Sequence, residues 1–224
     1  MELFIAPILK ALILVPVTLL PIINPLGAAP VFVATVGADR GRANRLARQI
    51  AINSWFVLVT CMLIGTYVLA LFGISLPVVR IGGGLLLATA GWRMLHTTGD
   101  DDVQVAAAEE ASALSHTQLM QRSFFPMTFP LTTGPGAISA SIALGTQIPT
   151  ATPVLYLAGA TIAAIGSMLV AIVLYLVFKN STQVLAWLGE IGTLVMMRLM
   201  AFILVCIGIQ IMWTGWAELN GIGL

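Results

Sequence analysis

Charge is what this sequence has least of. Of its 224 residues only 8% are charged, against 59% hydrophobic. Its mean hydropathy of +1.02 is more than a water-soluble domain can carry on its surface. Cysteine occurs twice, Cys61 and Cys206, both inside apolar runs, which argues against a disulfide framework or a thiolate metal site and leaves packing as their role. Histidine also occurs twice, His96 and His116, with no third ligand that would make a metal site. Apart from His96 at the end of one, the apolar runs hold no histidine, and they hold no carboxylate pair and no His-Glu-x-x-His, so the chain lacks the parts of an intramembrane enzyme. Its basic residues sit at the ends of apolar runs rather than in a patch with interleaved aromatics, which argues against a nucleic-acid partner. The first apolar run is too long for a cleavable signal and is expected to remain as a span.

What is present is a series of six apolar segments, roughly 7–37, 47–72, 77–96, 123–147, 152–178 and 192–217. Each is long enough to cross a bilayer, so the chain reads as an all-α polytopic membrane protein of six transmembrane helices. Two of them contain helix breakers at their centres. The first reads Pro21-x-x-Asn24-Pro25-x-Gly27-x-x-Pro30; the second reads Pro130-x-Thr132-Thr133-Gly134-Pro135-Gly136. Such clusters are expected to unwind a turn, over 21–27 and 130–136. Unwound backbone at membrane depth is tolerated where it lines a cavity, and paired broken helices point to a transporter's binding site; kinked packing helices are the alternative.

The residues expected at that site are Asn24, Pro25, Gly27, Thr132, Thr133, Gly134, Pro135 and Gly136. Free amides at the starts of the half-helices after Pro25 and Pro135 can hold a carboxylate. Unwound carbonyls, Asn24 and the two threonine hydroxyls can take an ammonium group, and the glycines leave room for only a small side chain. Asn24 has a competing role as the cap of the second half-helix. With no ionisable residue at the midplane, the site favours a zwitterion.

The spans correspond in order, one to four, two to five and three to six. Arg80 with Gly91 and Arg93 is matched by Arg198 with Gly208 and Gln210. Three spans per half reverse the second half in the membrane, giving inverted repeats over 1–96 and 123–224 joined by an acidic linker, 97–122. The segment from Asp39 to Arg48 reads as a short basic loop. The bias of lysine and arginine places it and the linker in the cytoplasm and both termini in the periplasm. Arg80, Arg198 and Gln210 are gating or structural polar residues: Arg80 is placed to snorkel, and Arg198 either finds a buried partner or gates.

The two broken motifs, with Arg80 and its following glycines, resemble the MarC family of bacterial inner-membrane proteins, over essentially the whole length. That resemblance implies a relative of the amino-acid exporters, and SnatA-like members imply transport of small neutral amino acids such as glycine and alanine. An exporter or channel for other small metabolites or drugs, or a non-transporting membrane protein, is the alternative. The partners expected are the lipid bilayer and a small neutral amino acid, with a homo-oligomer left open. No cofactor is expected. The absence of midplane acids argues against a proton relay, while coupling to Na+ or H+ stays undecided.

Overall fold

The computed structural model describes residues 2–37, 39–96, 128, 132–149 and 151–222. Among them it is all-helical, without a strand: α1 (Glu2–Ile23), α2 (Pro25–Val36), α3 (Arg40–Leu71), α4 (Leu76–His96), α5 (Pro135–Gly145), α6 (Pro153–Lys179) and α7 (Ser181–Leu219). The acidic linker expected at 97–122 and the first part of the fourth span lie outside the described residues. Among the described residues three helical stretches are long and apolar enough to cross a membrane, Arg40–Leu71, Pro153–Lys179 and Ile191–Leu219, and the pair Leu12–Ile23 and Pro25–Val36, bent by 54°, makes a broken fourth. At 21 residues α4 has the length for a crossing, with its apolar run diluted by Arg80, Arg93 and four glycines.

Three local expectations change. The first break is one residue and not a turn: α1 runs through Pro21 to Ile23, and α2 starts at Pro25. Proline costs little at the first position of a helix, where its missing N–H has no partner to lose, so the chain restarts at once. The basic segment after Asp39 is helix rather than loop. Asp39 caps α3, its Oδ1 accepting from Gly41 N–H at 2.7 Å and Arg42 N–H at 3.2 Å, and those bonds hold its carboxyl below the ordinary carboxylate value. Their contribution is present above that ordinary value and is lost as pH falls through the lowered one. Finally, residues from Ser181 onward are already helical, and α7 turns at Gly189 (φ 68°, ψ 179°) before its long apolar stretch.

Two antiparallel seams dominate the packing. Along α4 and α7, small residues let the backbones touch: a Cβ on Gly84 would lie 2.6 Å from the Gly208 carbonyl oxygen, and one on Gly91 2.7 Å from that of Ala201. Along α3 and α6, the Trp55 indole donates to the Ala164 carbonyl at 3.0 Å and the Tyr175 hydroxyl to Asn44 at 2.7 Å. The half-helices pack against these seams. Phe32 of α2 stacks on Phe178 of α6 with centroids 4.9 Å apart. Gly145 of α5 comes so close to α3 that a Cβ would be 2.0 Å from the Met62 carbonyl oxygen. Among the described residues the buried side chains that are not hydrophobic are all uncharged, mostly hydroxyls such as Thr35, Ser54, Thr133, Ser141 and Ser167. Large apolar side chains such as Phe56, Leu86, Leu157 and Phe202 point outward and exposed, as suits a surface solvated by lipid.

Candidate functional site

The bend at Asn24 is set by one backbone conformation and held by one hydrogen bond. Among the described residues Asn24 is the sole non-glycine with positive φ, at 49°, a region that asparagine tolerates better than most side chains. Its Oδ1 accepts from the Gly27 N–H at 3.1 Å, capping α2. Glycine at 27 makes this possible, because a Cβ there would lie 2.3 Å from Asn24 Nδ2. The cap that the sequence allowed for Asn24 is therefore formed.

The second break is built differently. The backbone N–H and the hydroxyl of Thr133 both donate to the Thr128 carbonyl, at 2.7 and 2.9 Å, closing a turn one residue wider than α. Gly134 follows in extended conformation, and α5 begins at Pro135 with no side-chain cap. Gly136 packs on α4, where a Cβ would be 3.1 Å from Leu87 Cδ1. Thr132 and Thr133 are 1% and 0% exposed.

Next to both breaks lies a cavity of about 410 Å³ between α1, α4, α5 and α7, within the roughly 300–1,000 Å³ of small-molecule sites. Pro21 and Ile22 reach it from just before the first break, and Ser139 and Ala140 from the first turns after the second. Its polar lining is Thr18, Arg80, Ser139, Gln147, Gln210 and Thr214. The structure thus brings Arg80 and Gln210 together. None of Asn24, Pro25, Gly27, Thr132, Thr133, Gly134, Pro135 or Gly136 lines this cavity; these residues are buried or part-buried. Arg198 is elsewhere, exposed, with its guanidinium 3.5 Å from the Leu95 carbonyl at the end of α4, where a helix's negative pole favours a cation.

Proline spacing removes two helical donors at residues that line this cavity. Pro21 and Pro25 have no N–H, so the carbonyls four residues earlier, of Val17 and Pro21, lose their ordinary helical donor. Both residues line the cavity. Ser139 is tied to the opposite wall, its hydroxyl donating to the Val79 carbonyl at 3.2 Å.

The chain matches the family model described as MarC family integral membrane protein over residues 9–220. It belongs to the MarC family. Among MarC proteins it is similar to the inner membrane protein MarC of Salmonella typhimurium, 29% identical over 222 residues that cover 94% of this chain and 96% of the relative. It is likewise similar to the protein of that name from Escherichia coli O157:H7, 30% identical over 215 residues, with 94% and 96% covered. No solved structure matches. Family and apolar helices together make this MarC protein a multi-pass membrane protein, and its relatives are named for the inner membrane.

Sequence reasoning missed the partner of Arg80 in this MarC chain. The Arg80 guanidinium pairs with the Glu218 carboxylate across the α4–α7 seam, where snorkelling was expected. The signal was present in the spacing: Gln210, Thr214 and Glu218 recur every four residues on one face of α7, with the Thr214 hydroxyl donating to the Gln210 carbonyl at 2.9 Å. Gly215 makes room for the pair, since a Cβ there would be 2.9 Å from Arg80 Cβ.

Proposed function

We propose that this chain is a secondary transporter carrying small neutral amino acids such as glycine and alanine across the inner membrane, with its site beside the two breaks. The observation that carries the reading is a single cavity bordered by residues flanking both breaks, Pro21 and Ile22 on one side and Ser139 and Ala140 on the other. Among its described lining residues there is no carboxylate, while proline-freed carbonyls and two glutamine amides offer partners to an ammonium group. Broken helices that meet at a cavity are how transporter folds present backbone groups to a solute.

The reading includes six spans in two inverted repeats with both termini periplasmic, so that the cavity can open alternately to either side. The packing supports it, because third span meets third span (α4 with α7) and second meets second (α3 with α6), both antiparallel, as inverted halves require. The half-helices follow the same rule. The half-helix after each break packs on the other half's third span, α5 on α4 and α2 on α7.

Uptake and efflux of labelled glycine and alanine by the protein in proteoliposomes, with and without sodium and proton gradients, tests the proposal. The expected result is flux above protein-free vesicles that saturates with substrate. Vesicles no more permeable than the controls under every gradient would end it.

A further inference from the structure

The Arg80–Glu218 pair is built as one half of a site and one half of a stopper. Arg80 lines the cavity and Glu218 does not, so the pair straddles the cavity's edge. The side chain of Arg80 is 21% exposed and that of Glu218 46%. The arginine is therefore the better-sheltered partner and the glutamate the one with access to solvent. Glu218 lies in the last turn of α7, which ends at Leu219, and the chain turns away through Gly221 at φ 66°. A carboxylate in that position can rotate off Arg80 without disturbing a span.

Arg80 is held at its base. Its Cβ lies over Gly215, and the carbonyl of its neighbour Val79 accepts from the Ser139 hydroxyl, so the residue keeps its place on the cavity wall when its partner leaves. A guanidinium facing an apolar cavity needs an anion to offset its desolvation, and its fork of donors fits a carboxylate on two bonds. Glu218 supplies that group from within the chain. From Arg80 a polar track leads inward through Thr214 and Gln210, which with Gln147 and Thr18 line the same cavity as Val17 and Pro21, the residues whose carbonyls lack a helical donor.

We propose that Arg80 is the anchor for the carboxylate of a small carboxylate-bearing solute, and that Glu218 is an exchangeable internal carboxylate which occupies the anchor until the solute displaces it. The anchor stands on the cavity's geometry, and only the choice of an amino acid as the solute rests on the transport reading above. An amino acid held this way keeps its ammonium group among the carbonyls and amides of the inner wall. The exchange moves no proton and breaks no covalent bond.

The experiment uses the full chain in nanodiscs for thermal shift and in proteoliposomes for flux, with glycine, glycinamide and acetate as probes. Glu218→Gln should bind glycine and acetate about 10-fold more tightly than wild type, because the competitor is gone. Arg80→Gln should bind them about 10- to 100-fold more weakly, the scale of losing hydrogen bonds to a charged group. Glycinamide, a cation with no carboxylate, should not follow glycine: it should bind no more weakly to Arg80→Gln and no more tightly to Glu218→Gln than to wild type. The double variant Arg80→Gln/Glu218→Gln leaves no unpaired charge, so it should keep the wild-type melting temperature while losing preference for glycine over glycinamide. Flux of glycine with an unaltered KM in all three variants would overturn the anchor and leave the transport reading standing. Acetate stabilising Glu218→Gln but not Arg80→Gln, in a protein that moves no amino acid, would uphold the anchor and overturn the transport reading. Variants that lose melting temperature but not carboxylate preference would reduce the pair to a structural tie and overturn the exchange.

Discussion

Gly84 and Gly208 occupy each other's missing side chains: a Cβ on Gly84 would stand 2.6 Å from the Gly208 carbonyl oxygen, and one on Gly208 2.7 Å from that of Gly84. Both are backbone atoms and cannot rotate aside. The α4–α7 seam is therefore set by two residues with nothing beyond Cα, and it positions Arg80 opposite Glu218.

Alanine at either position should push the helices apart. Gly84→Ala or Gly208→Ala is expected to cost on the order of 1–3 kcal/mol, the range for overpacking, read as a lower melting temperature in detergent. Gly82→Ala is the internal control, since a Cβ there meets nothing within 4 Å. It should be neutral or slightly stabilising through helix propensity. Equal effects at 82 and 84 would contradict the seam.

At Asn24 backbone shape and capping can be separated. Asn24→Ala loses the cap and puts a residue that tolerates left-handed geometry less well than asparagine at that position, together about 2–3 kcal/mol. Asn24→Gly keeps the geometry and should cost only a few tenths; Asn24→Asp keeps both. If Asn24 also touches substrate, Asn24→Gly should weaken apparent glycine affinity by roughly 5- to 150-fold. Thermal shifts with and without glycine decide it, and an unchanged shift in Asn24→Gly protein leaves the cap alone.

The first break shows how far the sequence could be read. Pro21, Asn24, Pro25 and Gly27 announce an interruption, but whether it spans seven residues or one depends on Asn24 entering the left-handed region and on its side chain closing onto Gly27. Neither follows from composition. Arg80 and Gln210 stood out because polar groups are rare in the spans. Glu218 did not, because it lies near the end of the chain, where acids are unremarkable. What linked it to Arg80 was a four-residue spacing on α7 that matters only once α4 is known to lie alongside. The glycine triplet in α4 similarly reads as one uniform patch, whereas Gly83 faces Ser139, Gly84 faces Gly208 and Gly82 faces open space.

Orientation is tested by labelling. With Cys61 and Cys206 replaced by serine, a cysteine at Ser75, in the turn between α3 and α4, should react with an impermeant maleimide in intact cells. One at Arg40, at the start of α3, should react only after the membrane is opened. The reverse pattern would invert the assignment and place the cavity's Arg80 edge on the cytoplasmic side.

The mutual neutralisation of Arg80 and Glu218 also bears on what the electric field across the membrane can act upon. An elementary charge crossing 100 mV gains or loses about 2.3 kcal/mol. A dipolar solute that takes over the guanidinium, releasing a glutamate that remains on the surface, presents the field with no net charge to move. Glycine exchange without a coupled cation should accordingly run at the same rate at zero potential and at 100 mV. A voltage dependence would then report the valence of an ion travelling with the solute and not a gating charge of the protein.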